Sequence, residues 1–363
     1  MTKVDPIHTY WMRRAIDLAK LGNGLTSPNP LVGAVLLNAD GDLVSEGFHH
    51  RSGMPHAEAM AFDNLSQSVT GGSIYINLEP CCHQGKTPPC TERIISSGLK
   101  KVFIGMEDPD IRVSGQGIKA LKNAGLDVNI GLCEEEALEL NKFFIHRNQT
   151  GCAYGVLKWA MSIDGRIGLK NGKSKWISND ISRKFVHTMR AQFDAIIVGG
   201  NTVRNDNPIL TSRGIKNPEP LRVVFSKSLK FPQKYNIFNC QTAKTLLVYD
   251  STSVKEEFLK LIPSWVDVEK LPSDNPRFLS KLLAERGCNK VLWECGPNLA
   301  TSAIKNGCIQ EISTFIAPKI LGGVNSMNPL SDFNFEEMNQ VIRLKKSKLN
   351  VFEDDIYLNF FSE

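Results

Sequence analysis

Short unbroken apolar runs recur along the first part of this chain, and segments of helical period lie between them. LVGAVLL (31–37), SIYINLE (73–79), KVFIGM (101–106) and DVNIGL (127–132) have the length and content of buried strands. Residues 56–65, 90–97 and 116–124 carry helical spacing. Ahead of them, Asp5-Pro6 reads as a helix start, with Asp as N-cap and Pro in the first turn. Apolar Ile7, Trp11, Ile16 and Leu18 follow, and Gly22 closes the segment. EEEALELNKFF (134–144) reads as a closing helix. This alternation predicts an α/β domain with helices packed on a mostly parallel sheet.

NQTGCAYG (148–155) is polar and small, and a boundary is placed there, giving domains over 1–149 and 150–363. Beyond it the same grammar restarts. GVLKWAMS (155–162), AIIVGG (195–200), LRVVFS (221–226), TLLVYD (245–250) and KVLWECG (290–296) read as strands, several with helices after them. Segment 227–243 contains Pro232 and reads as loop, and IYLNFF (356–361) reads as a late strand returning to the sheet. A length of 363 residues independently favours two domains.

Composition adds little to this and excludes some classes. The chain is 42% hydrophobic and 22% charged, ordinary for a globular protein. Its net charge of +5 is spread along the sequence without a basic run, so nucleic acid is not the expected partner. No apolar stretch is long enough to span a membrane. The N-terminus MTKVDPIHTYWMRRAIDLAK lacks a signal-peptide core. Nine cysteines without framework spacing point to reduced thiols in the cytoplasm, some of them used for metal.

Chemistry enters with PHAEA (55–59) and EPCCHQGKTPPC (79–90). His56, Cys81, Cys82, His83 and Cys90 are candidate zinc ligands. A structural zinc wants four protein ligands, whereas a catalytic one wants three and an open position. Cys81 and Cys90 each end a loop rich in Pro and Gly, and both His56 and Cys90 open helices, whose N-termini favour a thiolate. Glu58 lies two residues after His56. Near a helix start both can border one cavity, with Glu58 beside a bound water whose proton it accepts and returns. His-x-Glu, then Pro-Cys, then Cys is the pattern of the zinc-dependent nucleobase deaminases.

The usual second half is Pro-Cys-x-x-Cys, whereas here eight residues separate Cys81 from Cys90. That loop resembles the bifunctional riboflavin-biosynthesis deaminase/reductase family, with Cys82 where Ser is usual. The resemblance implies His56, Cys81 and Cys90 as ligands and Cys82 as a neighbour. SPNPLVGAV (27–35) is similar to the family's substrate-facing loop, which implies that Asn29 hydrogen-bonds the base; Pro28 and Pro30 also make it a plain turn. His49, His83 and Lys86 are implied around a substrate phosphate, with a solvated loop the other reading of Lys86. DPD (108–110) and SGQG (114–117) also match, and read most simply as a turn and a helix N-terminus.

The second half lacks the Gly-x-Gly-x-x-Gly fingerprint of a Rossmann domain. VGGNTVRND (198–206) and ECGPNLA (294–300) each place Gly between a strand and a helix start, where backbone amides can cradle a phosphate. LKWAMSIDGRIG (157–168), SKWIS (174–178), HTMRAQFDAIIVGGNTV (187–203), DNPILTSR (206–213) and FIAPKILGG (315–323) resemble the reductase half of the same family, so both halves match in order. The resemblance implies a cytidine-deaminase-like N-terminal domain and a dihydrofolate-reductase-like C-terminal domain that uses NADPH. It places Ala160, Trp176, Thr202, Asp206 and Ser226 at cofactor positions, together with Gly296, Pro297, Asn298, Leu299, Ala300, Thr301 and Ser302. It places Ser174, Arg190, Leu210, Arg213 and Glu294 at substrate positions, with Arg190 and Arg213 as a phosphate clamp. Apart from the family, each Arg also reads as a surface ion pair, Trp176 as core and Glu294 as a solvated carboxylate. In VVFSKS (223–228) Phe225 replaces an acidic residue usual in the family and Ser226 is kept; Lys227 has two readings, a contact with the cofactor's 2′-phosphate and, preferred, a solvent-facing side chain.

The implied activity is zinc-dependent hydrolytic deamination of a phosphoribosylamino-pyrimidine, then NADPH-dependent reduction of its ribosyl group to a ribityl chain. The expected partner is that small molecule, and homo-oligomers are expected because the family forms them. A nucleic-acid deaminase with an accessory domain and a zinc-stapled binding protein are the competing readings. Glu58 and a three-ligand set speak against the second.

Overall fold

The computed structural model describes residues 5–82, 88–110, 114–232, 234–250, 254 and 256–362. Two compact units divide it, Met1–Thr150 and Gly151–Glu363. In the first unit, helix α1 (Pro6–Lys20) starts as its sequence requires, with the Asp5 side chain accepting from the Ile7 amide. Met12, Ala15, Ile16 and Ala19 face the core, but Ile7 is exposed. The order continues β1 (Gly33–Leu37), β2 (Leu43–Phe48), α2 (Ala57–Asp63), β3 (Ser73–Leu78), α3 (Cys90–Ser96), β4 (Lys101–Met106), α4 (Gln116–Asn123), β5 (Asp127–Ile130) and α5 (Glu134–Thr150).

The sheet order is β2-β1-β3-β4-β5. Period 2 splits its strands between two faces. Val35, Tyr75 and Phe103 meet α1 and α5, whereas Ala34, Ile74, Ile76, Val102 and Ile104 meet α2, α3 and α4. The expectation of a mostly parallel sheet is corrected here, because β1 runs antiparallel to both β2 and β3. For β1 and β2 the reason is local. Asn38 accepts from the Asp40 and Asp42 amides, and so tight a turn can join only antiparallel strands. Strand β2 was not anticipated, since LVSEGF carries Glu46 and Gly47 in place of an apolar run. Helix α5 runs through Asn148, Gln149 and Thr150, into the polar stretch where the sequence places the domain boundary.

The second unit contains β6 (Tyr154–Ser162), α6 (Asp180–Ala191), β7 (Ala195–Gly199), α7 (Gly200–Asp206), β8 (Leu221–Phe225), α8 (Asn236–Asn239), β9 (Thr245–Asp250), α9 (Glu256–Leu259), β10 (Asp267–Leu271), α10 (Pro276–Glu285), β11 (Lys290–Trp293), α11 (Pro297–Lys305), β12 (Glu311–Ala317), β13 (Leu344–Phe352) and β14 (Asp355–Ser362). Its sheet order is β10-β9-β8-β7-β11-β6-β12-β14-β13. Pairing is parallel from β10 to β12, and the last two strands are antiparallel. Ile197, Val223, Leu246 and the fully buried Trp293 pack under α10 and α11. Strands β10, β12 and β13 were not anticipated. LKKSKLNVF in β13 carries lysines because it forms the outer edge of the sheet. Segment 227–243, expected to be loop, holds the single turn α8.

Candidate active sites

In the first unit, β3 runs out into Glu79-Pro80-Cys81, α2 is N-capped by His56, and α3 opens on Cys90. Three elements thus deliver three donors to one point. Cys81 Sγ and Cys90 Sγ lie 3.5 and 3.4 Å from His56 Nδ1, and all three ligand atoms fall within 4.8 Å of one another. A tetrahedral zinc with bonds of ~2.3 Å to sulfur and ~2.0 Å to nitrogen spaces such atoms by about 3.5 Å, so the residues fit that ion. The Cys90 amide also donates to Cys81 Sγ at 3.4 Å. Cys90 first, then His56 against the cost of burial, holds the Cys81 thiol down at about 4, in its metal-binding form. Glu58 is fully buried beside this cluster. Burial, then the Cys81 charge, lifts its carboxyl to about 6.

Cys82 is partly exposed and stands outside the cluster, with its Sγ 3.9 Å from Gln116 Oε1. His83 and Lys86 lie outside the described residues. His49, expected beside a substrate phosphate, is buried and makes two directional contacts. Its Nδ1 lies 3.0 Å from the Pro55 carbonyl, which can only accept, so Nδ1 carries the proton. Its Nε2, 3.0 Å from Asn29 Nδ2, is therefore an acceptor. Burial also lowers its pKa, and the contact with Nε2 orients the Asn29 amide.

Residues absent from the sequence reading hold this site in place. Leu31, two positions past Asn29, donates its N–H to Asn141 Oδ1, and its carbonyl accepts from both Asn77 Nδ2 and Asn141 Nδ2. Glu79 is buried and accepts from the amides of Asp108, Gly115 and Ile118, at 3.1, 3.0 and 3.2 Å. It ties the DPD turn and the start of α4 to the strand that carries Cys81. Glu79 directly precedes the Pro-Cys pair, which was the one available signal. Gly47 lets α2 approach β2: a Cβ there would sit 2.3 Å from the Ala57 carbonyl oxygen.

The second unit holds a cavity of about 1490 Å³ beyond the C-terminal ends of β6, β7, β8 and β11. All five expected substrate residues line it: Ser174, Arg190, Leu210, Arg213 and Glu294. So do Ala160, Trp176, Thr202, Asp206 and Ser226. Of the run 296–302, Gly296, Pro297, Asn298, Leu299 and Ser302 line it as well. Ala300 and Thr301 do not. Ala300 packs in the core and Thr301 Oγ1 accepts from the Ser331 amide, because the period of α11 turns them inward.

Trp176 is not core; it is 62% exposed on the cavity wall, with the Arg183 guanidinium 4.6 Å from its ring centre. Lys227 pairs with Asp274 at 2.5 Å, at the rim. Among the described residues Ser226 Oγ is buried without a partner, and a Cβ on Gly200 would lie 2.3 Å from it. An orphaned hydroxyl and a backbone cradle in a cavity of this size fit a dinucleotide cofactor.

Glu294 is buried, not solvated. It accepts from Arg190 Nε at 2.6 Å, Arg190 Nη2 at 3.0 Å and Lys158 Nζ at 3.3 Å. Burial works to raise its carboxyl, but Arg190 and Lys158 outweigh it and hold it well below the usual range. Arg190 Nη1 donates to the Thr211 carbonyl at 3.2 Å, so this guanidinium is engaged inside the protein. Both arginines expected as a phosphate clamp line the cavity, Arg190 paired with Glu294 and Arg213 exposed. Lys158 was missed, although a lysine inside the apolar run GVLKWAMS was the signal for it.

The model of the RibD C-terminal domain matches residues 153–358, and that of the cytidine and deoxycytidylate deaminase zinc-binding region matches 6–106. The chain is 42% identical to the riboflavin biosynthesis protein RibD of Synechocystis sp., over 92% of this chain and 90% of that one. To the RibD of Aquifex aeolicus it is 37% identical, over 98% and 99%. Its structure is similar to Acinetobacter baumannii RibD with a TM-score of 0.89, at 34% identity and 99% coverage of both chains. A Thermotoga maritima diaminohydroxyphosphoribosylaminopyrimidine deaminase/5-amino-6-(5-phosphoribosylamino)uracil reductase gives 0.87, at 33% identity and 98% and 99% coverage.

Proposed function

The chain belongs to the RibD family of bifunctional riboflavin-biosynthesis enzymes, and from that premise we propose which of its residues carry each step. The first unit hydrolytically deaminates 2,5-diamino-6-(5-phosphoribosylamino)pyrimidin-4-one. The second reduces the ribosyl group of the product with NADPH. The observation that carries this reading is the convergence of His56 Nδ1, Cys81 Sγ and Cys90 Sγ beside a buried Glu58.

In the first unit, His56, Cys81 and Cys90 hold zinc, which when bound acidifies the hydrolytic water. Glu58 takes the proton of that water and delivers it to the departing ammonia. With its carboxyl lifted to about 6, it is suited to do both near neutral pH. Asn29 hydrogen-bonds the pyrimidine, with its amide orientation fixed by His49.

In the second unit, the residues lining the cavity would hold NADPH, which when bound would supply the hydride for reduction of the ribosyl group. Gly200, Ser226 and the start of α11 face the cofactor's polar groups. Lys158 and Glu294 set a fixed ion pair in the cavity wall, and Arg213 takes the substrate phosphate. We read the enzyme as cytoplasmic, with nine cysteines that all stand as thiols. A homo-oligomer belongs to the same reading, supported by exposed Leu349 and Val351 on β13.

The test uses purified zinc-loaded protein and the diaminopyrimidine ribosyl phosphate. Ammonia is followed without NADPH, and NADPH oxidation is followed after its addition. Ammonia first and oxidation second is the expected result. Oxidation before deamination would overturn the order of steps, and ammonia without oxidation would overturn the role of the second unit.

A further inference from the structure

Arg213 has φ 58°, in the left-handed region that costs free energy for any residue bearing a Cβ. Something must hold it there. Leu210 (φ 57°) and Asn207 (φ 43°) share the conformation, so three positions between 207 and 213 are held in the left-handed region where the segment lines the cavity. The amides on either side of Arg213 point at one carboxylate. Ser212 N donates to Glu219 Oε2 at 2.6 Å, and Gly214 N donates to Glu219 Oε1 at 2.7 Å. Charge-assisted bonds of this length are the strong class. Upstream, the Thr211 carbonyl is held by Arg190.

Glu219 does not line the cavity, whereas Arg213 does. Arg213 is exposed, and among the described residues it forms no ion pair. Arg213 lines the same cavity as His187 and Arg190. A carboxylate six positions along the chain could have neutralised this arginine. Instead, both its oxygens are engaged by backbone amides.

We propose that Glu219 is a positioning residue for the reductase substrate: its carboxylate clamps the 212–214 backbone so that Arg213 presents an unpaired guanidinium to the substrate phosphate. This rests on the reading of Arg213 as the phosphate arm, and it extends that reading to a residue that touches neither substrate nor cofactor. Glu219→Gln keeps the shape but offers one acceptor oxygen to two N–H donors.

The experiment uses the full chain and the deaminated, phosphorylated substrate, titrated by calorimetry without cofactor and then assayed with NADPH. Glu219→Gln is expected to weaken substrate binding and raise KM by about tenfold, the scale on which a strained conformer loses its support. Its kcat should stay within about twofold, because no transition-state contact is removed. NADPH affinity and ammonia release should match the parent protein. On dephosphorylated substrate the variant and the parent should be equal. In an Arg213→Ala background, Glu219→Gln should add nothing.

Unchanged substrate affinity in Glu219→Gln, with affinity lost in Arg213→Ala, overturns the inference and leaves the phosphate arm standing. The same holds for an additive loss in the double variant, a loss that persists without the phosphate, or a parallel loss of NADPH affinity. Full affinity in Arg213→Ala overturns the phosphate arm itself, and Glu219's role with it.

Discussion

Glu294→Gln removes the charge at the centre of the reductase wall and leaves its shape. The carboxylate accepts two guanidinium bonds and one ammonium bond. The three side chains are only 10% (Glu294), 13% (Arg190) and 15% (Lys158) exposed. Breaking a buried pair by removing one partner costs about 3–5 kcal/mol, because the other charge stays buried and uncompensated. Some solvent reaches this pair, so the lower end, about 3 kcal/mol, is expected. The reductase unit has 213 residues (363 − 150). At ~2–4 °C per kcal/mol for a unit of that size, its unfolding midpoint should fall by roughly 6–12 °C.

Scanning calorimetry measures this, and the transition that NADPH moves upward identifies the unit. The pH dependence has a fixed sign. Glu294 is depressed in the folded state, so its contribution is present above the ordinary carboxyl value of 4.5 and is lost as pH falls toward the folded value. The gap between parent and variant should be constant near neutrality and close on acidification. An unchanged midpoint, or a gap that widens in acid, would refute the reasoning.

Other expected outcomes follow from the deaminase unit. Glu58→Gln should keep full zinc content and lose deamination by about 10²–10⁴-fold, read as ammonia release with reductase activity as the control. Cys81→Ser should empty the metal site and Cys82→Ser should not, by metal analysis of the purified variants; the reverse pattern would show that the ligand set is wrong. Gly47→Ala would place a Cβ 2.3 Å from the Ala57 carbonyl oxygen and 2.5 Å from the Ala61 amide nitrogen. Helix α2 must then shift, at about 1–3 kcal/mol of overpacking. Zinc affinity in chelator competition should drop, although Gly47 touches no ligand; unaltered affinity would show that the helix position does not matter.

Much of the fold is legible in the chain because sheets covered on both faces leave continuous apolar runs, as in KVFIGM and AIIVGG. Strands without that signature were missed. LVSEGF meets the α2 backbone at Gly47, and LKKSKLNVF forms an outer edge. The deaminase constellation is legible because each part is local: HAE within one helix start, Pro-Cys at one strand end, and Cys90 at another helix start.

The sequence by itself determined the two-unit α/β grammar, the metal-binding residue types and Glu58 beside them. These depend on spacing along one chain segment, where 3.6 and 2 residue periods and cap chemistry act. Only the tertiary structure decided how charges and protons are shared across distance. It bonded His49 to Pro55 and Asn29, turned Ala300 and Thr301 into the core, and paired Arg190 with Glu294, 104 residues away. Whether an ionisable side chain is an arm, a partner or a brace depends on which group burial places opposite it. Spacing along the chain does not encode that choice.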